Sequence, residues 1–258
     1  SAQQEWDNSG MQVGDTGREV NSVLLTTDVT PAVVDEAVRL GCQLIISHHP
    51  LLFHGLRQVC GQSPQAEAVA MAIRNDIAVY SAHTSLDSVW GGINTRLADI
   101  LGIRDYRILV PSGNPEIRKS GVPAERAGLG VIGSLPEPME FHSFLKHVRA
   151  TLNATYVRYT DPSSSQGGTG GRLITTVALC GGSGAELIAE AVAQGADVYL
   201  TADCKYHEFQ EAEGRIAVVD IDHWVSECHC REIFRDLLAT HGIACRISQA
   251  DRTPVKIL

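Results

Sequence analysis

The chain has 258 residues, of which 44% are hydrophobic, and a formal net charge of −9 at pH 7. This length and composition allow one large or two modest domains with a conventional core, so we expect a soluble globular protein. The net negative charge and the lack of a clustered run of Lys and Arg argue against a protein that binds along the phosphate backbone of nucleic acids. We therefore expect no direct nucleic-acid binding.

Targeting and membrane segments are not evident in the sequence. No window approaches the roughly 18 consecutive apolar residues that a membrane-spanning helix needs. The first ten residues, SAQQEWDNSG, form neither a basic nor an apolar segment, so we expect a cytoplasmic protein without membrane contact. The seven cysteines are an odd number in a chain of ordinary domain size, which argues against a disulfide scaffold. Cys228 and Cys230 have no second cysteine pair, and we interpret them as structural thiols rather than zinc ligands.

Strands and helices alternate along the chain. Pro31 near the start of one apolar-periodic segment and Gly41 after its end predict a helix between them. In the first half, the pattern predicts a strand at 20–28, a helix at 31–41, a strand at 42–49, a helix at 64–76, a strand at 77–83 and a helix at 91–102. In the second half, it predicts strands at 174–182, 196–203, 216–222 and 243–248, and helices at 183–195, 206–214 and 223–242.

This alternation predicts an α/β fold with two lobes and mostly parallel sheets. The predicted N-terminal lobe covers residues 1–110 and the C-terminal lobe covers residues 173–258. The connecting segment 111–172 is richer in Pro and Gly, and its stretch 161–171 is expected to form a flexible surface loop.

Histidine and carboxylate residues accumulate at the ends of four predicted strands. These ends are His48 and His49, then His83 to Asp87, then Thr201 to His207, and finally Asp220 to Glu227. In α/β sheets, ligands bind at the carboxyl ends of the strands. Imidazole and carboxylate together suit divalent zinc, manganese, iron or nickel. The sequence therefore predicts a metal site with the ligands His48, His49, Asp87, His223 and Glu227.

Spacing supports two parts of this ligand set. His223 and Glu227 are four residues apart, so both side chains lie on one face of the last predicted helix and can share an ion. Adjacent residues on extended backbone point to opposite sides, but His49 precedes Pro50 at a strand end, where a turn can direct His48 and His49 into the same pocket. A single histidine at a strand end is more often a hydrogen-bonded loop residue, and we interpret five further histidines so: His54, His142, His147, His229 and His241.

Two glycine-rich stretches of the sequence are candidates for phosphate binding. GLGVIG, at 128–133, has the spacing of a dinucleotide-binding turn, but SLPEPM follows it where that turn requires a helix. We reject a dinucleotide site there. CGGSG, at 180–184, lies between a predicted strand and helix, and we interpret it as a tight turn; the alternative is that its N–H groups hold a phosphate or carboxylate.

Several motifs together resemble one known family. They are WDNSGMQVGD, ISHHPLLFHG, SAHTSLD followed by GGINTRLADILG, GLGVIGSLPEP, CGGSG, TADCKYHEFQEA and DHWVSE. Their order and spread over nearly the whole chain resemble the GTP cyclohydrolase 1 type 2 homologs, also called NGG-interacting-factor-three-like metal-binding proteins. Asp222 and Ala202 stand where that family commonly has Gly, and His54 stands at a position that is often basic. None of these departures removes a predicted metal ligand.

The resemblance implies more than the strand ends do. It implies a dinuclear metal centre, two divalent ions per subunit, held by His48, His49, Asp87, His223 and Glu227. It also implies two related α/β lobes flanking a metal cleft and self-association as a ring-shaped homohexamer.

Two functions of different classes are consistent with these features. The first is a metal-dependent hydrolase that acts on a nucleotide or a related small anionic substrate, with Asp203 and His207 transferring protons or contacting the substrate. If the substrate is GTP, water attacks C8 of its base and the phosphates lie near Gly181 to Gly184. The alternative is a non-catalytic protein that binds or delivers metal, or an interaction scaffold in which the ions are structural.

Overall fold

The structure is a computed structural model that describes residues 3–4, 6–60, 63–113, 123–161 and 172–258. By its internal contacts the chain divides into two units. The first unit comprises Ser1–Leu86 and Cys228–Val255, and the second comprises Asp87–Glu227 and Lys256–Leu258. The chain therefore leaves the first unit just before Asp87 and returns to it just after Glu227.

A five-stranded sheet forms the centre of the first unit. Its strands are β1 (Gly10–Val13), β2 (Ser22–Thr26), β3 (Leu44–Ser47), β4 (Ala78–Ser81) and β11 (Ala244–Ile247), in the order β1-β4-β3-β2-β11. β1 is antiparallel to β4, and the other neighbours are parallel. Leu24, Ile45 and Val79, one from each central strand, are fully buried in the core of this unit. Parallel strands with buried aliphatic residues bring several carboxyl ends to one edge of the sheet.

The first unit also contains helices, and local sequence explains both ends of the first of them. The helices are α1 (Pro31–Leu40), α2 (Pro64–Arg74), α3 (Thr84–Asp87), whose last residue begins the second unit, and α9 (Cys230–Ala239). The Thr30 side chain accepts a hydrogen bond from the Val33 N–H at the start of α1, and Gly41 ends that helix in the left-handed conformation with φ of 65°. These are the start and stop features expected from Pro31 and Gly41.

A six-stranded sheet forms the centre of the second unit. Its strands are β5 (Arg104–Pro111), β6 (Gly128–Glu140), β7 (Arg158–Tyr159), β8 (Leu173–Ser183), β9 (Val198–Ala202) and β10 (Ala217–Asp220), in the order β5-β6-β8-β9-β10-β7. Its helices are α4 (Ile93–Leu101), α5 (Phe141–Thr151), α6 (Ile188–Ala193), α7 (Tyr206–Ala212) and α8 (His223–Glu227), with 3₁₀ turns at Ala124–Arg126 and Ala185–Leu187. Val177, Leu200 and Val219 of β8, β9 and β10 are fully buried in its core.

The α/β class and the two-sheet layout predicted from the sequence are confirmed. The two sheets differ in how their strands pair. In the sheet of the second unit, β8, β9 and β10 are parallel, while β5, β6 and β7 pair antiparallel with their neighbours. The GLGVIG stretch lies inside β6, paired with β5 and β8. Among the described residues, no helix is long and apolar enough to cross a membrane.

The unit boundaries do not coincide with the predicted lobes. β11 belongs to the predicted C-terminal lobe, yet it pairs in parallel with β2, with Ala244 opposite Ser22. Most of the predicted connecting segment 111–172 that the structure describes forms β6, α5 and β7 of the second sheet. Residues 162–171 of the predicted loop 161–171 lie outside the described residues.

The last predicted helix, 223–242, is instead two helices, α8 and α9. A turn at Cys228 and His229 separates them, and the Arg231 Nε–H donates to the Cys228 carbonyl oxygen at 2.7 Å. The side chain of Arg231 thus supplies a hydrogen bond to a carbonyl oxygen that the break in the helix would otherwise leave without a helical partner. The break also coincides with the return of the chain to the first unit.

Candidate metal centre

His48 and His49 follow β3 at the carboxyl edge of the first sheet. The His48 N–H donates to the Thr26 carbonyl at 3.2 Å and the His49 N–H donates to the Thr27 carbonyl at 2.9 Å, so the last residue of β2 and the residue after it fix the backbone of both histidines. The two ring centroids lie 4.9 Å apart, as expected if a turn directs both imidazoles to one side. The two rings therefore lie beside each other, and their facing one pocket stays a prediction.

Each of these rings is anchored through Nδ1. The Nδ1 of His49 lies 2.8 Å from Asp28 Oδ1, and the Nδ1 of His48 lies 3.3 Å from the Ala82 carbonyl oxygen. In metal sites, a histidine that binds through one ring nitrogen usually donates its other N–H to a carboxylate or a carbonyl. The anchoring therefore leaves Nε2 as the nitrogen that each ring would present to an ion.

His83, at the end of β4, is anchored in the same way. Its Nδ1 lies 2.7 Å from Asp7 Oδ1, and its ring centroid lies 5.5 Å from that of His48 and 5.8 Å from that of His49. We call His48, His49 and His83 the imidazole cluster.

Asp7 is held as an ionised carboxylate within the first unit. Burial opposes its ionisation, but hydrogen bonds from Thr84, His83 and Ser9 outweigh burial and lower the pKa of Asp7 from 3.8 to about 2. Burial lowers the pKa of His83 below its ordinary 6.5, and the interaction with Asp7 opposes this only in part. Asp7 thus fixes the orientation of a ring that burial keeps neutral near pH 7.

His223 and Glu227 lie on α8 in the second unit, one helical turn apart. His223 Nε2 lies 2.9 Å from Glu227 Oε2, and His223 Nδ1 lies 2.7 Å from Asp203 Oδ2. Asp203 follows β9 and adopts a left-handed backbone with φ of 55°. We call Asp203, His223 and Glu227 the carboxylate cluster. Its i,i+4 pair is confirmed to share one helix face.

Gly182 makes room for the Glu227 carboxylate. A Cβ atom added at Gly182 would overlap Glu227 Oε1, and the φ of 65° at Gly182 also disfavours any other residue. The Gly182 N–H donates to Ser226 Oγ at 2.8 Å, and Ser226 Oγ donates to the His223 carbonyl at 2.7 Å. Strand β8 and helix α8 thus form a cradle around a carboxylate that is only 3% exposed.

The CGGSG stretch is used for this packing. Besides the Gly182 contact, the Gly181 N–H donates to Asn94 Oδ1 at 2.9 Å. Two of the N–H groups that the GTP hypothesis assigned to phosphates are therefore already bonded within the second unit. Residues 180–183 of this stretch lie in strand β8, whose pairing with β9 is irregular between Leu179 and Ser183, so the stretch is the irregular end of a strand and the interpretation as a tight turn is wrong.

The remaining predicted residues are placed as follows. Asp87 is the last residue of α3, and its carbonyl oxygen accepts from Asn94 Nδ2 at 3.0 Å. His207 is exposed on α7, with Nδ1 3.3 Å from Gln210 Oε1 on the same helix. Cys230 is buried with Sγ 3.7 Å from Thr27 Oγ1, and none of the seven cysteines, all of which the structure describes, forms a disulfide.

Sequence reasoning missed Asp28 and Asp7. Asp28 ends the apolar segment VLLTT, so the strand-end rule that selected His48 and Asp203 would also have selected it. Asp7 has no such feature, because it precedes β1 and reaches His83 across 76 residues of sequence.

The donor chemistry fits a transition-metal ion. In the described part of the chain, the side chains that could serve as metal ligands include His48 and His49 in the first unit and Glu227 in the second. Their ring nitrogens and carboxylate oxygens are the donors that zinc, iron, manganese and nickel accept.

Comparison with known proteins identifies the family. The family model described as Duf34/NIF3 (NGG1p interacting factor 3) matches residues 1–254. A Streptomyces coelicolor protein named GTP cyclohydrolase 1 type 2 homolog is 34% identical, over 87% of this chain and 75% of that protein. Crystal structures of a Bacillus cereus protein related to NIF3 and of a Staphylococcus aureus hypothetical protein superpose with TM-scores of 0.85 and 0.86, at 25% and 26% identity. Each of these two structural superpositions covers 100% of this chain and 94% of the other chain. The chain therefore belongs to the Duf34/NIF3 family.

Proposed function

We propose that the protein is a metal-dependent hydrolase that acts on a nucleotide or a related small anionic substrate. Two divalent ions per subunit would be held by His48, His49, Asp87, His223 and Glu227. The observation that carries the proposal is the shared anchoring of three of these ligands: the Nδ1 atoms of His48, His49 and His223 each lie within 3.3 Å of an oxygen acceptor.

The course of the chain supports the same ligand set. Asp87 and Glu227 are the residues at which the chain enters and leaves the second unit. Cys230, three residues after Glu227, contacts Thr27, whose carbonyl oxygen accepts from the His49 N–H. Asp87 and Glu227 are therefore the residues directly next, along the chain, to the unit that carries His48 and His49.

Bound divalent ions would supply an activated water near neutral pH and polarise the bond that is cleaved. The chain's own residues fix the donors. Asp28 orients His49, and Asp203 orients His223 while remaining a candidate for proton transfer. His207 is exposed on α7 and is the second candidate for proton transfer or substrate contact. The cradle at Gly182 keeps the Glu227 carboxylate in one position.

Metal content and turnover together test this function. We expect His48→Ala and Glu227→Gln to lose bound metal and turnover while staying folded, because both residues lie at element ends. Exposed His241 and Glu211 provide matched controls, as His241→Ala and Glu211→Gln. The assay is elemental analysis followed by hydrolysis of GTP, cyclic nucleotides and phosphoesters after reconstitution with zinc, manganese, iron or nickel. Unchanged metal content in both ligand variants would refute the ligand set. Metal binding without turnover on any substrate would instead favour metal storage, delivery or a scaffold.

We also propose that the protein assembles as a homohexamer, as the family resemblance implies. Light scattering should then give a mass near six times 27.8 kDa. A monomer at micromolar concentration would contradict this assembly.

A further inference from the structure

Two large aromatic side chains of the first unit are exposed beside the imidazole cluster. Trp6 is 65% exposed and Phe53 is 42% exposed. Their ring centroids lie 6.0 Å apart at an interplanar angle of 78°. Each ring also contacts the His83 ring edge to face, with ring centroids 6.2 Å apart for Trp6 and 5.9 Å apart for Phe53. We call Trp6, Phe53 and His83 the ring wall.

Hydrogen bonds hold the segments that carry the ring wall. Beside Phe53, the Leu52 N–H donates to Gln12 Oε1 at 3.1 Å, and Asn8 Nδ2 donates to the Leu52 carbonyl oxygen at 2.8 Å. Residues on both sides of Trp6 are tied to Thr84, the first residue of α3: the Gln4 N–H donates to Thr84 Oγ1 at 2.9 Å, and Asp7 accepts from the Thr84 N–H and hydroxyl. Asp7 also holds His83. Single exposed apolar residues are common on protein surfaces, but adjacent exposed rings that are fixed in place indicate a binding surface.

The ring wall combines flat apolar faces with a hydrogen-bond acceptor. A carboxylate only accepts, so the Nδ1 of His83 carries the hydrogen in its contact with Asp7. In the neutral ring, Nε2 then has a lone pair for a ligand N–H group. Aromatic faces stack on planar rings, whereas they have no hydrogen-bond donor for a phosphate.

We propose that the ring wall binds the planar, nitrogen-containing ring of the substrate, next to the proposed ligands His48 and His49. The ligand class is a heteroaromatic base with N–H donors, stacked against Trp6 or Phe53 and donating to His83 Nε2. This assignment rests on the proposed function, because it names the part of the substrate that the first unit recognises.

The test compares two probes that differ only in the base. The full chain, reconstituted with zinc or manganese, is titrated calorimetrically with guanosine 5′-monophosphate and with ribose 5-phosphate. We expect the wild-type protein to prefer the monophosphate with the base. Trp6→Leu and Phe53→Leu should each reduce this preference by about 5- to 150-fold, which is the effect of losing a base-stacking ring. Affinity for ribose 5-phosphate should stay within about twofold. Tyr80→Leu is the matched control, because Tyr80 is a similarly exposed ring, 38%, on strand β4.

Three results would overturn the assignment. They are equal wild-type affinity for the two probes, an equal loss of preference in Tyr80→Leu, and a change of oligomeric state in Trp6→Leu without a change in preference. The last result would identify the rings as a contact between copies of the chain. Base preference is measured without turnover, so this assignment and the hydrolase proposal can fail separately.

Discussion

The imidazole cluster and the carboxylate cluster are constructed differently. In the first, His48 and His49 follow β3 and His83 follows β4, and side chains such as Asp7 and Asp28 from other segments anchor the rings. In the second, two members belong to one helix, and the backbone of β8 packs directly against Glu227. Parallel strand ends can gather side chains with space between them, whereas a glycine cradle leaves no space. We therefore expect the carboxylate cluster to be sensitive to backbone substitution and the imidazole cluster to be sensitive to loss of anchoring side chains.

The largest effect is expected from Gly182→Ala. The added Cβ would overlap the Glu227 carboxylate, so bound metal should fall and the unfolding midpoint should drop by more than backbone strain alone explains. Gly195→Ala is the matched control, because Gly195 has φ of 76° but open space around a Cβ. A left-handed alanine alone costs about 1–2 kcal/mol. Equal unfolding midpoints and equal metal content in the two variants would show that the cradle does not confine Glu227.

The anchors of the two clusters can be compared through Asp28→Asn and Asp203→Asn. Asparagine keeps the size of the side chain but removes the charge that favours the Nδ1–H tautomer of His49 and His223. Loss of such an anchoring group typically lowers metal affinity by about 10- to 100-fold. The measurement is competition with a chelator of known affinity. Asp35→Asn, which alters an exposed pair with Arg39, should leave affinity unchanged. Unaltered affinity in Asp28→Asn would remove His49 from the ligand set.

The sequence predicts the two clusters to different extents. Apolar strands ending in His48, His49 and Asp203 are visible as patterns, and the spacing of His223 and Glu227 places both on one helix face. Helix α1 forms at 31–40 as Pro31 and Gly41 predict. These features are local, so propensity and periodicity are sufficient to find them.

Contacts between distant segments were not predictable. Asp7 reaches His83, and β11 reaches β2, because the tertiary fold brings them together. The sequence predicts only a turn residue at Gly182, and the packing of α8 against β8 is what shows that Gly182 confines a carboxylate. The division into units is likewise set by strand pairing, which alternation of elements does not specify.

A smaller effect, dependent on pH, is expected from Asp7→Asn. The pKa of Asp7 falls from 3.8 to about 2 on folding, so its ionised form stabilises the native state. A depressed native pKa contributes stability that is complete above the unfolded value and is lost as pH falls through the folded value. Wild type should therefore be more stable than Asp7→Asn at pH 7, and the difference should shrink between about pH 4 and pH 2. Urea unfolding at several pH values measures it. A difference that is constant across this range would refute the depressed pKa.

The smallest expected effects on the free energy of unfolding come from removing one serine hydroxyl beside each cluster. Ser226→Ala leaves the buried Gly182 N–H without its acceptor, and an unsatisfied buried N–H costs about 1–3 kcal/mol. Ser81→Ala removes one of two hydroxyls that donate to the His49 carbonyl, and Ser47 still donates at 2.8 Å. Its expected cost is about 0.5–1.5 kcal/mol, the net value of one ordinary hydrogen bond. Chemical denaturation of both variants, each read against wild type, gives the two free energies of unfolding. A larger loss in Ser81→Ala than in Ser226→Ala would reverse the comparison, because it would place the tighter packing around His49 and not around Glu227.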